Sequence, residues 1–204
     1  MNRIAFLFFA SFILIALAKS DDMNTGIVYG NKHAFALTAP KGWVLDNSSG
    51  VSQGLHAVFY PKRSSWEKGT TVMYANVAVL DTFINKDFIA VLEYDTSNFR
   101  TKSPNIIIVE KDTIVTKSKT PARVFYFSND RNGNYEAVCY IGEKTAVIML
   151  IMSSKTAKEF NKYLPKYAEL VKSYFWMTDK VDFDKKNTDS PSLYHNSLLI
   201  SLRC

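Results

Sequence analysis

The sequence is poor in the residues that metal, redox and disulfide-rich proteins need. Its 204 residues contain two cysteines, Cys139 and Cys204, and three histidines, His33, His56 and His195. No histidine has a second histidine or a cysteine at zinc-ligand spacing, and two cysteines make no disulfide scaffold. We therefore predict no bound metal and no cofactor. A two-histidine site from His33 and His56 is the alternative, because both lie in predicted strands that can be sheet neighbours.

The two cysteines lie in different contexts. Cys139 is inside an apolar strand pattern, and Cys204 ends the sequence. We predict a buried, free Cys139, because an unpaired cysteine behaves as a small apolar residue. Cys204 is then an exposed thiol that can pair with another chain, and a disulfide between the two cysteines is the alternative.

Motifs for nucleophilic catalysis and phosphate binding are also absent. The sequence has no G-x-S-x-G elbow and no glycine-rich phosphate loop. Residues 130–136 alternate oxygen-bearing side chains as a calcium loop does, but Gly133 is fourth where that loop needs its glycine sixth. This segment predicts a hairpin turn. We predict that the protein is not an enzyme, and a hydrolase whose site only the fold assembles is an alternative.

Only one apolar run is long, and it lies at the N-terminus. Arg3 precedes the apolar residues 4–18, and Ala18-Lys19-Ser20 has small residues at both positions that a signal peptidase reads. The run is shorter than the roughly twenty residues of a membrane-spanning helix. We predict a secretory signal peptide over residues 1–20, an exported (periplasmic or extracellular) protein, and no transmembrane span after cleavage. The alternative is an uncleaved N-terminal anchor.

Basic residues are in modest excess. The formal net charge of +6 falls to about +4 if Arg3 and Lys19 leave with the signal peptide. A nucleic-acid binder concentrates basic residues in one patch, and an exported protein rarely meets nucleic acid. We therefore predict no nucleic-acid partner.

The middle of the sequence predicts β-strands joined by short turns. Gaps this short exclude parallel crossovers and indicate a consecutive antiparallel arrangement. The predicted strands cover residues 27–29, 33–38, 43–46, 55–60, 71–80, 106–109, 113–116, 122–127, 135–141 and 145–152.

Two helices are predicted. The first begins with Asn85 as its cap and ends at Ser103-Pro104. It shows apolar residues at helical spacing, namely Phe88, Ile89, Leu92 and Phe99. The second is capped by Ser153 or Ser154 and has lysines on its polar side. Its apolar stripe comprises Phe160, Tyr163, Leu164, Tyr167, Leu170, Val171 and Tyr174. Pro165 is predicted to kink this helix or to start a second one.

Two phrases carry a family resemblance. The first, F-x-L-x-x-P-x-G-W, follows an opening hairpin and consists of Phe35, Leu37, Pro40, Gly42 and Trp43. The second lies in the last helix and consists of Phe160, Tyr163, Pro165, Tyr167, Leu170, Val171, Ser173 and Tyr174. Over roughly residues 26–177 the chain resembles the PsbP/Mog1-like family.

The resemblance implies an α+β fold, a mostly antiparallel sheet with helices on both faces in an α/β/α sandwich. It also implies a protein that acts by binding another protein, here an exported or membrane protein. We place this single domain at residues 21–178, followed by a polar tail at 179–204 that we expect to be disordered or loosely docked. Residues 198–202 of the tail can alternatively touch a membrane or another protein.

The loop after residue 60 holds the predicted contact residues. Lys62, Arg63 and Trp66 place two cations beside a tryptophan outside any apolar period, and such a tryptophan can stack on a sugar or anchor a partner. The alternative is that Trp66 folds back onto the sheet edge. We predict a non-enzymatic exported binding or accessory protein, with a carrier of a small apolar or sugar ligand as the alternative. Trp43 is predicted to be a packing residue.

Overall fold

The computed structural model describes residues 24–182. The predicted signal peptide, His195, Cys204 and the tail beyond residue 182 lie outside this range. The strands are β1 (Thr25–Gly30), β2 (His33–Thr38), β3 (Trp43–Asp46), β4 (Val58–Pro61), β5 (Thr71–Val79), β6 (Ile107–Val115), β7 (Pro121–Ser128), β8 (Tyr135–Gly142), β9 (Ala146–Ser154) and β10 (Phe175–Thr178). The helices are α1 (Phe88–Lys102) and α2 (Ala157–Ser173).

The strands form two antiparallel sheets. A seven-stranded sheet has the order β3-β4-β5-β9-β8-β7-β6, and a three-stranded sheet has the order β1-β2-β10. One face of the large sheet packs against α1, and its other face packs against α2 and the three-stranded sheet. The predicted α+β class with helices on both sheet faces is therefore confirmed, with a small sheet added beside α2.

The central strands β8 and β9 are buried on both faces. Their residues are almost all apolar, including the fully buried Cys139, Leu150 and Ile151. A strand covered on both sides loses the alternation of polar and apolar residues. The prediction that Cys139 is buried and free is confirmed.

Helix α1 begins two residues later than predicted. Asp87, not Asn85, is the N-cap, and its Oδ1 accepts a hydrogen bond from the Ala90 amide at 2.7 Å. The helix buries Val91 and leaves Ile89 exposed. The buried face of α1 therefore lies part of a helical turn away from the predicted apolar stripe.

Helix α2 is continuous, so the prediction that a second helix starts at Pro165 is wrong. Proline removes the hydrogen bond to the carbonyl four residues earlier, at Asn161. Both residues are exposed, so water can satisfy that carbonyl while the buried stripe stays against the sheet. The cap is Thr156, which accepts from the Glu159 amide at 3.2 Å, because the predicted cap Ser154 belongs to the end of β9.

Three strand predictions also change. The predicted strands at 106–109 and 113–116 are one strand, β6, with an irregular register between Lys111 and Ile114. The predicted strand at 55–60 begins only at Val58, so His56 lies in a loop. Strand β10 was not predicted, because the helical stripe runs through Tyr174 and leaves only four residues for it.

Trp43 stabilises the corner between β2 and β3. The Trp43 amide donates to the Pro40 carbonyl at 2.9 Å, and Gly42 takes the left-handed φ of 86°. The indole is 3% exposed and meets the Tyr163 ring edge-on, with 5.2 Å between centroids. Its interpretation as a packing residue is confirmed.

We expect Trp43→Ala to lower the free energy of unfolding by about 3–5 kcal/mol, because it empties a packed site between sheet and helix. Chemical denaturation measures this difference. The matched control is Trp66→Ala, which removes a partly buried ring that packs edge-on against Tyr74 and should cost about 1 kcal/mol. Equal losses in the two variants would contradict the role given to Trp43.

Candidate functional site

The loop between β4 and β5 carries the predicted contact residues. Lys62 and Arg63 are exposed, and Trp66 is partly buried with its ring 5.9 Å from that of Tyr74 at 84°. Trp66 also packs against the cluster that α1 covers. The tryptophan is thus held on the sheet with the two cations beside it, and its role as a contact residue stays a prediction.

The two histidines of the described range lie in different elements, His33 in β2 and His56 in the loop before β4. Within residues 24–182 no group of three His, Cys, Asp or Glu side chains can hold a metal ion. His33 Nδ1 is buried and has no hydrogen-bond partner in that range. Burial, with the positive charge of His56 as a smaller cause, lowers the pKa of His33 to about 4.

Two acidic loops have structural roles. The Asp130 carboxylate accepts from the amides of Asn132 at 2.9 Å and Asn134 at 2.7 Å, as in the predicted hairpin turn.

Asp46 lies beside an open cavity of about 460 Å³ between β1 and β3. It accepts hydrogen bonds from both the amides and the hydroxyls of Ser48 and Ser49 and from the Tyr60 hydroxyl.

These five donors decide what Asp46 can do. They hold the pKa of Asp46 well below its usual range, and the Ser49 hydroxyl is the largest cause. A carboxylate that is ionised and fully hydrogen-bonded fixes the turn after β3 but has no proton to give as a general acid.

The most distinctive surface is the side of the three-stranded sheet that faces away from α2, which we call the outer face. Phe35 and Leu37 point into the core and are at most 1% exposed, so the alternation of β2 turns Ala34 and Ala36 outward. Strands β1 and β10 add large apolar side chains on either side. The exposed fractions are 52% for Ile27, 61% for Tyr29, 43% for Phe175 and 49% for Met177.

The register gives the outer face its shape. Ile27 lies opposite Ala36, and Ala36 lies opposite Phe175. Tyr29 lies opposite Ala34 in the neighbouring row. The register of β10 shifts between Trp176 and Thr178, so Thr178 lies opposite Ala34, which is buried. Ala36 therefore forms a shallow floor between the large apolar side chains of Ile27 and Phe175.

A basic turn lies along one border of the outer face. Residues 116–120 connect β6 to β7 and run beside β10, where the Trp176 amide donates to Ser118 Oγ at 2.6 Å. The Lys117 ammonium nitrogen lies 5.5 Å from the centre of the Phe175 ring. This distance allows a cation–π contact, and it places a positive charge directly at the apolar surface.

The outer face is not predicted by the sequence pattern. Side chains alternate along residues 27–29 and 34–37, but this alternation alone does not indicate which side of the hairpin packs against a helix. The predicted helical stripe ends at Tyr174, and no element is predicted for the residues of β10. The weak signal that remained was Phe175 and Met177 on either side of Trp176.

Comparison with protein-family models finds no match, and comparison with curated proteins finds none either. Several solved structures are similar to the chain. The cyanobacterial PsbP of Synechocystis sp. PCC 6803 is 9% identical over 80% of this chain and 99% of its own, with a TM-score of 0.47. LpqN of Mycobacterium tuberculosis, involved in cell envelope biogenesis, is 11% identical over 76% and 92%, with a TM-score of 0.48.

The Ran-binding protein Mog1p of Saccharomyces cerevisiae is 12% identical over 75% of this chain and 95% of its own, with a TM-score of 0.43. PsbP and Mog1 are the proteins after which the resemblance in the sequence is named. At such identities and TM-scores the likeness concerns architecture, and it carries no conclusion about function. In the part of the chain that the structure describes, neither helix is long and apolar enough to span a membrane.

We expect the His33 environment to make stability depend on pH. The pKa is about 6.5 in the unfolded chain and about 4 in the fold, so between these values the unfolded state binds more protons. Stability contributed by neutral His33 is therefore complete above pH 6.5 and is lost as the pH falls towards 4. The loss should be roughly 2 kcal/mol after allowing for partial exposure of the ring.

Denaturant titrations between pH 7 and pH 4 measure this effect. The variant His33→Gln should flatten the pH dependence relative to the unmodified protein. The exposed His56→Gln is the matched control and should keep most of the slope. An unchanged slope in His33→Gln would contradict the assignment.

Proposed function

We propose that the protein is a non-enzymatic binding or accessory protein, exported by the predicted signal peptide, that binds a partner protein on the outer face. The carrying observation is the group of large apolar side chains on β1 and β10, each 43–61% exposed, of which Ile27 and Phe175 lie on either side of Ala36. Contiguous apolar patches on soluble proteins commonly mark interaction sites. Tyrosine, phenylalanine and methionine are also enriched at the centres of protein interfaces.

The shape of the outer face favours a macromolecular partner over a small ligand. Ligand sites are concave and enclose most of the ligand surface. The outer face is instead one side of a three-stranded sheet. Its depth is only the difference in length between an alanine side chain and the larger side chains next to it. A protein surface can cover such a shallow groove, whereas a small molecule would stay largely in water.

Charge at the border of the outer face also supports this proposal. On α2, Lys162 pairs with Glu159 at 3.2 Å and Lys166 pairs with Glu169 at 2.8 Å. At the border of the outer face, Lys117 contacts Phe175 and has no carboxylate within ion-pair distance in residues 24–182. An unpaired positive charge therefore lies directly beside the apolar surface, which suits a partner with apolar and acidic groups.

We expect a photo-crosslinking amino acid at position 27 to form a discrete adduct with one exported or membrane protein in the native compartment. The matched control is the same amino acid at Ile107 on β6, because Ile107 is 54% exposed and Ile27 is 52% exposed. Purified protein and the identified partner should then bind in solution. The double variant Ile27→Ser, Phe175→Ser should weaken binding at least tenfold, because it removes apolar contacts at the centre of the interface.

Other results contradict the proposal. Adducts of equal yield from positions 27 and 107 would mean that the outer face is not selective. An adduct with a second copy of this chain, supported by sedimentation of a dimer, would make the outer face a self-association surface. Loss of binding in Trp66→Ala but not in the double variant would favour the carrier site at Lys62, Arg63 and Trp66.

A further inference from the structure

We propose that the turn at residues 116–120 and the Phe175 ring together bind a carboxylate that stands next to an apolar side chain, so that the partner presents an acidic and apolar extended segment. This inference rests on the proposed function, because it names the chemistry of the partner that occupies the outer face. Four sets of observations support it: the rigidity of the turn, the position of Lys117, the backbone of Lys119 and the lack of nearby free carboxylates.

The turn is held rigidly. Within it, the Lys119 amide donates to the Thr116 carbonyl at 3.0 Å, and the Thr116 hydroxyl donates to the Thr120 carbonyl at 2.9 Å. It is also tied to the elements beside it. The Lys117 amide donates to the Lys172 carbonyl at 3.0 Å, and the Ser118 amide donates to the Tyr174 carbonyl at 3.2 Å. A fixed turn loses little entropy when its side chains bind.

Lys117 places a positive charge next to the exposed apolar ring of Phe175. Its ammonium nitrogen lies 5.5 Å from the centre of the Phe175 ring, and 43% of Phe175 stays exposed. A carboxylate can therefore meet the ammonium group while the neighbouring apolar side chain of the partner covers the ring. Partial desolvation by that side chain would strengthen the ion pair.

Lys119 occupies a backbone position that suits glycine. Its φ is 67°, in the left-handed region that costs a residue with a Cβ roughly 1 kcal/mol or more. Turn formation alone would be served better by glycine. A lysine at this position supplies a second cation two residues from Lys117, and it makes no ion pair among residues 24–182.

Two carboxylates on elements next to the turn contact other groups. Asp179 is 4.0 Å from the ammonium group of Lys144. Glu143 lies under the turn, and its Oε1 accepts from the Tyr174 hydroxyl at 3.1 Å and from the Thr120 hydroxyl at 3.3 Å. The charge of the turn is thus available to a carboxylate from outside.

The probes for the test are three blocked seven-residue peptides with phenylalanine and leucine at alternate positions. The intervening residues are glutamate in the first peptide, lysine in the second and serine in the third. Binding to the mature protein is measured by fluorescence anisotropy. We expect the glutamate peptide to bind at least tenfold more tightly than the lysine peptide, and we expect its affinity to fall as salt rises from 50 to 500 mM.

Three variants test the residues. Lys117→Glu should weaken the glutamate peptide at least tenfold. Lys119→Gly should weaken it several-fold while leaving the melting temperature equal or higher, because glycine relieves the backbone strain. Lys111→Glu is the matched control and should leave binding unchanged. Lys111 lies on the exposed strand β6, and its ammonium nitrogen is 5.3 Å from the centre of the Tyr126 ring on β7.

The outcomes separate this inference from the proposed function. In one outcome all three peptides bind equally, Lys117→Glu and Lys119→Gly leave the affinity unchanged, and Ile27→Ser, Phe175→Ser abolishes binding. The inference about carboxylate recognition is then wrong, and the proposed binding of a partner on the outer face is retained. If no peptide binds and position 27 gives no adduct, both are wrong. Binding to vesicles of phosphatidylglycerol and phosphatidylcholine (3:7) that is lost in Lys117→Glu, without peptide binding, would assign the turn to a lipid surface and overturn the proposal.

Discussion

The fold of the outer face depends on the contact between α2 and the seven-stranded sheet. The α2 stripe includes Tyr167, whose hydroxyl donates to the Leu150 carbonyl of β9 at 2.9 Å in a fully buried site. At the C-terminal end, the Thr38 amide donates to Ser173 Oγ at 3.0 Å. These contacts place the end of α2 next to β2, so the chain can continue directly into β10 beside Ala36. The third strand of the small sheet therefore exists because α2 is fixed.

The same burial makes the core chemically inert. Burial raises the pKa of the Cys139 thiol to about 12, and it also raises the pKa of Tyr167 and Tyr174. At neutral pH all three groups keep their protons, and a thiol is a poor nucleophile. The polar groups inside the fold hold elements together, and the groups that can meet other molecules lie on the surface.

Local periodicity explains what could be predicted from the sequence. The α2 stripe and the long central strands are each set by residues near one another in the chain, and burial follows their spacing. The outer face could not be predicted, because the exposure of Ile27 depends on which side of the hairpin meets an element more than a hundred residues later (the exposed fraction is 52%). Continuity of α2 through Pro165 was missed for a related reason, since tertiary packing decided it.

Strand β6 shows how an exposed sheet edge can avoid pairing with other molecules. It forms one edge of the seven-stranded sheet, where unpaired backbone groups invite strands from other molecules. Its register is irregular after Lys111, and charged side chains precede that irregularity at Glu110 and Lys111. Such an edge resists the growth of a continuous intermolecular sheet. The largest sheet of the protein is therefore protected at this edge against pairing with strands of other molecules.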